Sequence, residues 1–301
     1  LQGVFSSEEN YEEIERPEKV LVEKTDTYKS IVFNESVVKN NVDNGLFSGF
    51  KSEYYGSNAL LGGFAKVAGR RVLIMGPRTN SGLRSTSSII KARELLKVAH
   101  RTSTSQILVF GEKWMQTADN RSTTSMRPRL DLMAALREKQ GDRTHIVTHI
   151  DGLKLAEINS TADVVVFITP ENISENDLAF AQKNSTFIVE NFKEAYDLAQ
   201  KVISKFEITY NKDLAVEPEE EPKVPVDKAE PYDMIESVIK PSFDKDSFLE
   251  FYSAMNTSSG PNFITGLASL DGFTVGVIAD QPQIQGGGAD AFGTEKFRVF
   301  T

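Results

Sequence analysis

Gly63-Phe64-Ala65-Lys66-Val67-Ala68-Gly69-Arg70-Arg71-Val72-Leu73-Ile74-Met75 recurs in pattern as Gly266-Leu267-Ala268-Ser269-Leu270-Asp271-Gly272-Phe273-Thr274-Val275-Gly276-Val277-Ile278. Both read Gly-Φ-Ala-x-Φ-x-Gly-x-x-Val-x-Φ-Φ without a gap, Φ being apolar, at an offset of 203 residues (266 minus 63). Each copy asks for two strands joined by a tight turn, with glycine supplying a positive φ. The spacing is about that of one domain. It predicts duplicated halves, the second cut short, because far fewer residues follow Gly266 than follow Gly63 before the next break.

Outward from the first copy, Ser30–Phe33 and a helix over Ser36–Val42 lead to Gly45, and residues 1–27 read as an extended acidic arm. Beyond it, Ser85–His100 carries Ile89, Ala92, Leu95, Leu96 and Ala99 at helical spacing. Ile107–Phe110 reads as a buried strand, Pro128–Lys139 as a helix, His145–Ile150 and Val164–Ile168 as strands, and Glu190–Lys205 as a helix. Strands alternating with helices predict a largely parallel sheet with helical crossovers, an α/β fold. Four prolines and Glu219-Glu220-Glu221 make 211–231 a stiff, solvated linker. A short helix, Tyr232–Ile239, and a helix or strand at Phe248–Phe251 follow. The expected organisation is therefore an arm (1–27), a first half (28–210), a linker (211–231) and a truncated second half (232–301).

The 301 residues carry a net charge of -9, which argues against nucleic-acid binding. No apolar run approaches the roughly 20 residues of a membrane span. The absence of cysteine excludes disulfides, thiolate zinc sites and cysteine nucleophiles. Leu1 stands where a methionine would start a chain, which fits removal of a mitochondrial presequence or a trimmed boundary.

Pro231-Tyr232-Asp233-Met234, Phe248-Leu249-Glu250-Phe251, Phe263 to Gly272 and Val275-Gly276-Val277-Ile278-Ala279-Asp280-Gln281-Pro282 resemble the carboxyltransferase (β) subunits of biotin-dependent acyl-CoA carboxylases. The propionyl-CoA and methylcrotonyl-CoA types are the nearest, with Asp280 where they show Asn. The resemblance implies a crotonase-like fold of two ββα-spiral halves, with the active site between the first half of one chain and the second half of another. It also implies glycine pairs after the second and third core strands, whose N–H groups stabilise an enolate and a biotin ureido anion. Here the strand ending at Phe110 is followed by Gly111-Glu112-Lys113-Trp114, and the one ending at Ile150 by Asp151-Gly152-Leu153-Lys154. Both lack the pair, and no catalytic residue carries over.

Two glycine-bearing segments remain as candidate CoA or anion sites. The first is the turn Met75 to Ser85, with Arg78, Ser81, Gly82 and Arg84, which fails the P-loop spacing and reads equally as a capped crossover. The second is Gly286-Gly287-Gly288, near the acyl-CoA site in the family or a plain loop. His145 and His149 would lie roughly 13 Å apart on a strand, too far for one metal. These readings lead to the expectation of a carboxyltransferase-like protein without catalysis, a structural or interaction subunit of a larger mitochondrial, alternatively cytoplasmic, complex. Other subunits would cover residues 263–301, and no metal or cofactor is expected. The alternative is an active carboxyltransferase moving a carboxyl group from carboxybiotin to acyl-CoA, its missing half supplied by another chain. Only that reading calls on biotin and a CoA ester.

Overall fold

The computed structural model describes residues 33–49, 60–78, 86–111, 123–138, 144–150, 159–207, 210, 215–225, 230–253, 260–288 and 290–301. The expected arm and the Ser30–Val32 part of the first short segment lie outside them.

The two quoted stretches are hairpins. β2 (Leu60–Val67) turns through Ala68 and Gly69 into β3 (Arg70–Pro77), and β9 (Phe263–Leu270) turns through Asp271 and Gly272 into β10 (Phe273–Asp280). Both central residues of each turn have positive φ, 51° and 74° in the first and 51° and 78° in the second. That geometry matches the right-handed twist of the flanking strands, and glycine takes its second position without strain.

The repeat reaches further upstream than the hairpins. Glu35-Ser36-Val37-Val38-Lys39 and Glu236-Ser237-Val238-Ile239-Lys240 are followed at equal distances by Asp43 and Asp244 and by Phe47 and Phe248, at an offset of 201 (236 minus 35). The first copy forms α1 (Glu35–Asn41), capped by the Asn34 side chain accepting from the Val37 N–H. The second is a π-helical turn, Ile235–Ile239, running into Lys240–Ser242. Pro241 has no N–H to offer the Ser237 carbonyl four residues back. That carbonyl accepts instead from the Lys223 N–H at 2.8 Å. The described part of the linker is thereby pinned, again through the Lys245 N–H donating to the Val216 carbonyl at 2.8 Å. Its described residues stay largely exposed between these two contacts.

β1 (Phe47–Gly49), β2 and β3 begin a seven-stranded sheet that continues, all parallel from β3, through β4 (Ser105–Phe110), β5 (His145–His149), β6 (Val164–Ile168) and β7 (Phe187–Val189). The helices α2 (Thr86–Arg101), α3 (Thr123–Arg137), α4 (Glu175–Asn184) and α5 (Phe192–Glu207) lie between or after these strands. Every residue of β4, β5 and β6 is buried, because a parallel sheet is covered on both faces. Alternate residues divide between two cores: Val72, Ile74, Ile107 and Val109 pack with α1 and α5, while Leu73, Met75, Leu108 and Phe110 pack with α2 and α3.

Three elements escaped the sequence reading, the short strand β1 among them. In α4 only Ala181 is buried, so an amphipathic pattern is scarcely written, although Ser174 caps it by accepting from the Asp177 N–H at 3.1 Å. β7 is three residues long. α5 starts at Phe192 rather than Glu190, since Asn191 accepts from the Glu194 N–H and Glu194 reaches back to the Glu190 N–H, both at 3.0 Å.

β8 (Leu249–Phe251), β9 and β10 form a second, antiparallel sheet, and α6 (Ala291–Phe300) packs on it. α6 starts at Ala291, capped by Asp290 accepting from the Gly293 N–H at 2.6 Å. The core of this unit is small: Ile239, Ile264, Ala268 and Val277. The second unit leans on the first through Phe251, which meets Phe187 edge-on at 5.2 Å.

Candidate functional site

Of the first candidate anion site, Arg78 is described; Ser81, Gly82 and Arg84 lie outside the described residues. Arg78 is half-exposed at the end of β3, and its guanidinium stands 3.9 Å from the Glu35 carboxylate of α1. A carboxylate beside the arginine competes with any incoming anion.

The second candidate is a tight turn after β10. Gln285, Gly286 and Gly287 take successive positive φ values of 50°, 68° and 76°. The Gly287 N–H donates to the Ile284 carbonyl at 2.9 Å, and the Gly288 N–H to the Gln285 carbonyl at 3.3 Å. The Gly288 carbonyl accepts from Asn262 Nδ2. Gly287 faces Asp280: a Cβ placed on it would stand 3.0 Å from Asp280 Cβ and 3.9 Å from its carboxyl carbon. Here too a negative charge borders the backbone that was to receive one. Two of the quoted motifs do meet at this end of β10: Gln281 donates through Nε2 to Asp233 at 3.1 Å and accepts from the Met234 N–H at 2.9 Å.

The carboxyl ends of adjacent strands β4 and β5 carry Phe110 and His149, with ring centroids 6.1 Å apart. His149 is fully buried, its Nε2 2.6 Å from Asn159 Oδ1, and among the described residues its Nδ1 meets no hydrogen-bond partner. Burial pushes its pKa down to about 4 despite the bond to Asn159, so the ring is neutral at pH 7. His145 Nδ1 lies instead 3.0 Å from the Thr161 carbonyl, so the two histidines serve separate partners. Among the described residues no group of three or more His, Asp or Glu could hold a metal ion. The segments expected to carry glycine pairs, from Glu112 and from Asp151, lie outside the described residues.

Three buried lysines were not read from the sequence; Lys205 of α5 donates to Ser269 Oγ at 3.2 Å, and the other two are related to one another. Lys91 of α2 donates to the Leu60 carbonyl at 3.1 Å, and Lys296 of α6 donates to the Phe263 carbonyl at 2.7 Å. Leu60 and Phe263 are the first residues of the two hairpins, 203 apart, so these lysines are counterparts. Burial lowers both pKa values; Arg78 lowers that of Lys91 further, whereas Glu250, 3.5 Å from Lys296, opposes the shift there. A lysine in each amphipathic run was the available signal, but only the hairpin offset links the two. An open cavity of ≈ 510 Å³ lies under the linker, and no candidate from the sequence lines it. Its lysines Lys240 and Lys245 pair with Glu236 and Glu219.

Residues 184–299 match the carboxyl transferase domain. The chain is 29% identical over 109 residues to the uncharacterized carboxylase YngE of Bacillus subtilis (strain 168), covering 33% of this chain and 20% of that protein. It is 29% identical over 155 residues to the biotin-dependent long chain acyl-coenzyme A carboxylase beta4 subunit of Mycobacterium tuberculosis, covering 46% and 29% respectively. The matches thus span less than a third of either relative. Among solved structures, the transcarboxylase 12S hexamer core superposes with a TM-score of 0.68 at 19% identity over 88% of this chain and 60% of that one. A single-chain, multi-domain long-chain acyl-CoA carboxylase gives 0.70 at 17%, over 88% and 31%. These likenesses show the fold, a mixed α/β architecture shared with those two structures.

Proposed function

We propose, from the premise that this chain resembles the carboxyltransferase (β) subunits of acyl-CoA carboxylases, that it keeps their fold without their transfer chemistry and acts as a structural or interaction subunit of a larger complex. The observation that carries this reading is Asp280. Where a neutral Asn is expected, a carboxylate borders the Gly286–Gly288 turn, so an anionic group of a CoA ester approaching that backbone would meet an opposing field. Glu35 does the same to Arg78. The sequences after Phe110 and Ile150 add support, since neither carries the glycine pair. One missing oxyanion donor costs about 2.7–4 kcal/mol of transition-state stabilisation, a factor of roughly 10²–10³ in rate.

The match over 184–299 favours a second reading, an acyl-CoA carboxyltransferase completed by another chain. Carboxyl exchange between malonyl-CoA or methylmalonyl-CoA and free biotin separates the two. The purified chain is expected to give only the background rate, and exchange well above it would establish the second reading.

A further inference from the structure

Where the two copies of the repeat differ, two of the differences hold the linker. At the offset of 201, Pro241 stands where the first copy has Asn40, and Lys245 where it has Asn44. Asn40 keeps its N–H, and α1 is a regular α-helix from Glu35 to Asn41. Pro241 leaves the Ser237 carbonyl open, and the Lys223 N–H takes it at 2.8 Å. Lys245 holds the other end twice: its N–H donates to the Val216 carbonyl at 2.8 Å, and its ammonium group pairs with Glu219.

The two sides of these contacts are fastened unequally. Ser237 belongs to the turn that places Ile239 in the core of the second unit. Lys245 follows Asp244, whose N–H donates to the Ser269 carbonyl at 2.8 Å and whose carboxylate accepts from the Asp271 and Gly272 N–H groups. The linker side has no such support. Val216 and Val224 are 47% and 56% exposed, and the Lys223–Glu220 ion pair lies within the segment. Among the described residues, no further hydrogen bond or ion pair joins 215–225 to the rest of the chain. Pro218, Glu219 and Glu220 of this segment line the cavity of ≈ 510 Å³ together with Phe243 and Phe248 of the second unit and Lys201 of α5.

We infer that residues 215–225 form a strap that lifts as one unit from this cavity while both sheets stay folded, and that ionic strength sets how often it does so. Pro218, Pro222 and Pro225 stiffen the segment, so that its two ties, at Val216 and at Lys223, open together. The Glu219–Lys245 pair is exposed and therefore screened by salt. The strap operates under either reading of the transfer chemistry.

Residue-resolved hydrogen–deuterium exchange of the full chain tests it. The Lys223 amide should be protected, yet exchange at least about tenfold faster than the bonded amides of β9. Pro241→Asn, a residue the first half already accommodates at this position, gives the Ser237 carbonyl a donor within its own turn. It should speed Lys223 exchange about tenfold, the loss of one hydrogen bond, with β9 unchanged. Glu219→Gln changes only an exposed side chain of the strap and guards against distortion of the turn in the first variant. It should speed exchange about two- to fivefold at Lys223 as well as at Lys245. Salt at about 1 M, where charges are screened beyond about 3 Å, should do the same to the unaltered chain, relative to β9, and add nothing to Glu219→Gln. The inference is overturned if Lys223 exchanges freely or no faster than β9, if Pro241→Asn leaves it unchanged, or if salt has no effect on the unaltered chain. It is equally overturned if Glu219→Gln acts at Lys245 alone, which would make the two ties independent contacts.

Discussion

Asp43 and Asp244 close the two hairpin turns in the same way: the Gly69 N–H donates to Asp43 Oδ2 at 2.7 Å, and the Gly272 N–H donates to Asp244 Oδ2 at 2.7 Å. Asp244 also accepts from the Asp271 N–H at 3.0 Å and is buried. A turn with two left-handed residues directs successive N–H groups to one side, and a carboxylate satisfies them.

Replacing Asp244 with Ala leaves two turn donors without their acceptor. Hydrogen bonds to a charged group contribute about 1.5–3 kcal/mol each, and urea unfolding should show a loss of that order. Asp43→Ala, with one bond at a more exposed turn, should lose less. A smaller loss at Asp244 than at Asp43 would contradict the assignment.

Gly63 and Gly266 answer a second shared constraint. A Cβ at Gly63 would stand 2.2 Å from the Ser48 carbonyl oxygen, and one at Gly266 2.4 Å from the Leu249 carbonyl oxygen. Gly266→Ala should therefore force β8 from β9 and destabilise by about 1–3 kcal/mol, as overpacking does. Gly276→Ala, whose nearest neighbour would be Phe300 at 3.9 Å, should change the unfolding midpoint little.

His149 sets a pH dependence. Its folded pKa of about 4 lies below the ordinary 6.5, so between those values the unfolded chain takes up a proton that the folded chain refuses. The contribution to stability is complete above pH 6.5, falls as pH drops through that window, and levels off below about 4. It amounts to about 3 kcal/mol. Denaturant titrations at a series of pH values should show this slope, and His149→Gln should remove it while the other groups' slopes persist.

Lys296 is fully buried with the Phe263 carbonyl and the Glu250 carboxylate as its partners. Lys296→Ala removes the ammonium group from both and should cost about 3–5 kcal/mol. Lys91→Ala, which orphans a carbonyl alone, should cost less in the same thermal-melt series.

Most of the first sheet was legible from its residues because its signals are local. Val164 to Ile168 is an unbroken apolar run bounded by polar residues, and it is β6 to the residue. The period of α2 gave the helix to within one residue at each end. The extension of the repeat upstream was equally present, in Glu35 to Lys39 and Glu236 to Lys240, but a two-residue change of offset separates it from the hairpins. Pro241 also disguises the second copy by turning its helix into a π turn. The candidate anion sites were less legible, since a glycine run shows where backbone can come close but not which charge stands beside it.

The amino-acid sequence by itself determined the two turns, the alternation within each strand and the helical faces, because each depends on residues a few positions apart. Tertiary structure decided what spans longer distances: Asp43 reaching Gly69 across 26 residues, Lys296 reaching Phe263 across 33, and Glu35 standing beside Arg78. Those pairings exist only once strands are in register and helices seated, since a carboxylate or an ammonium group finds its partner by position in space. For the same reason Asp280, one charge in place of a neutral amide, takes on its meaning only when the chain folds Gly287 back against it.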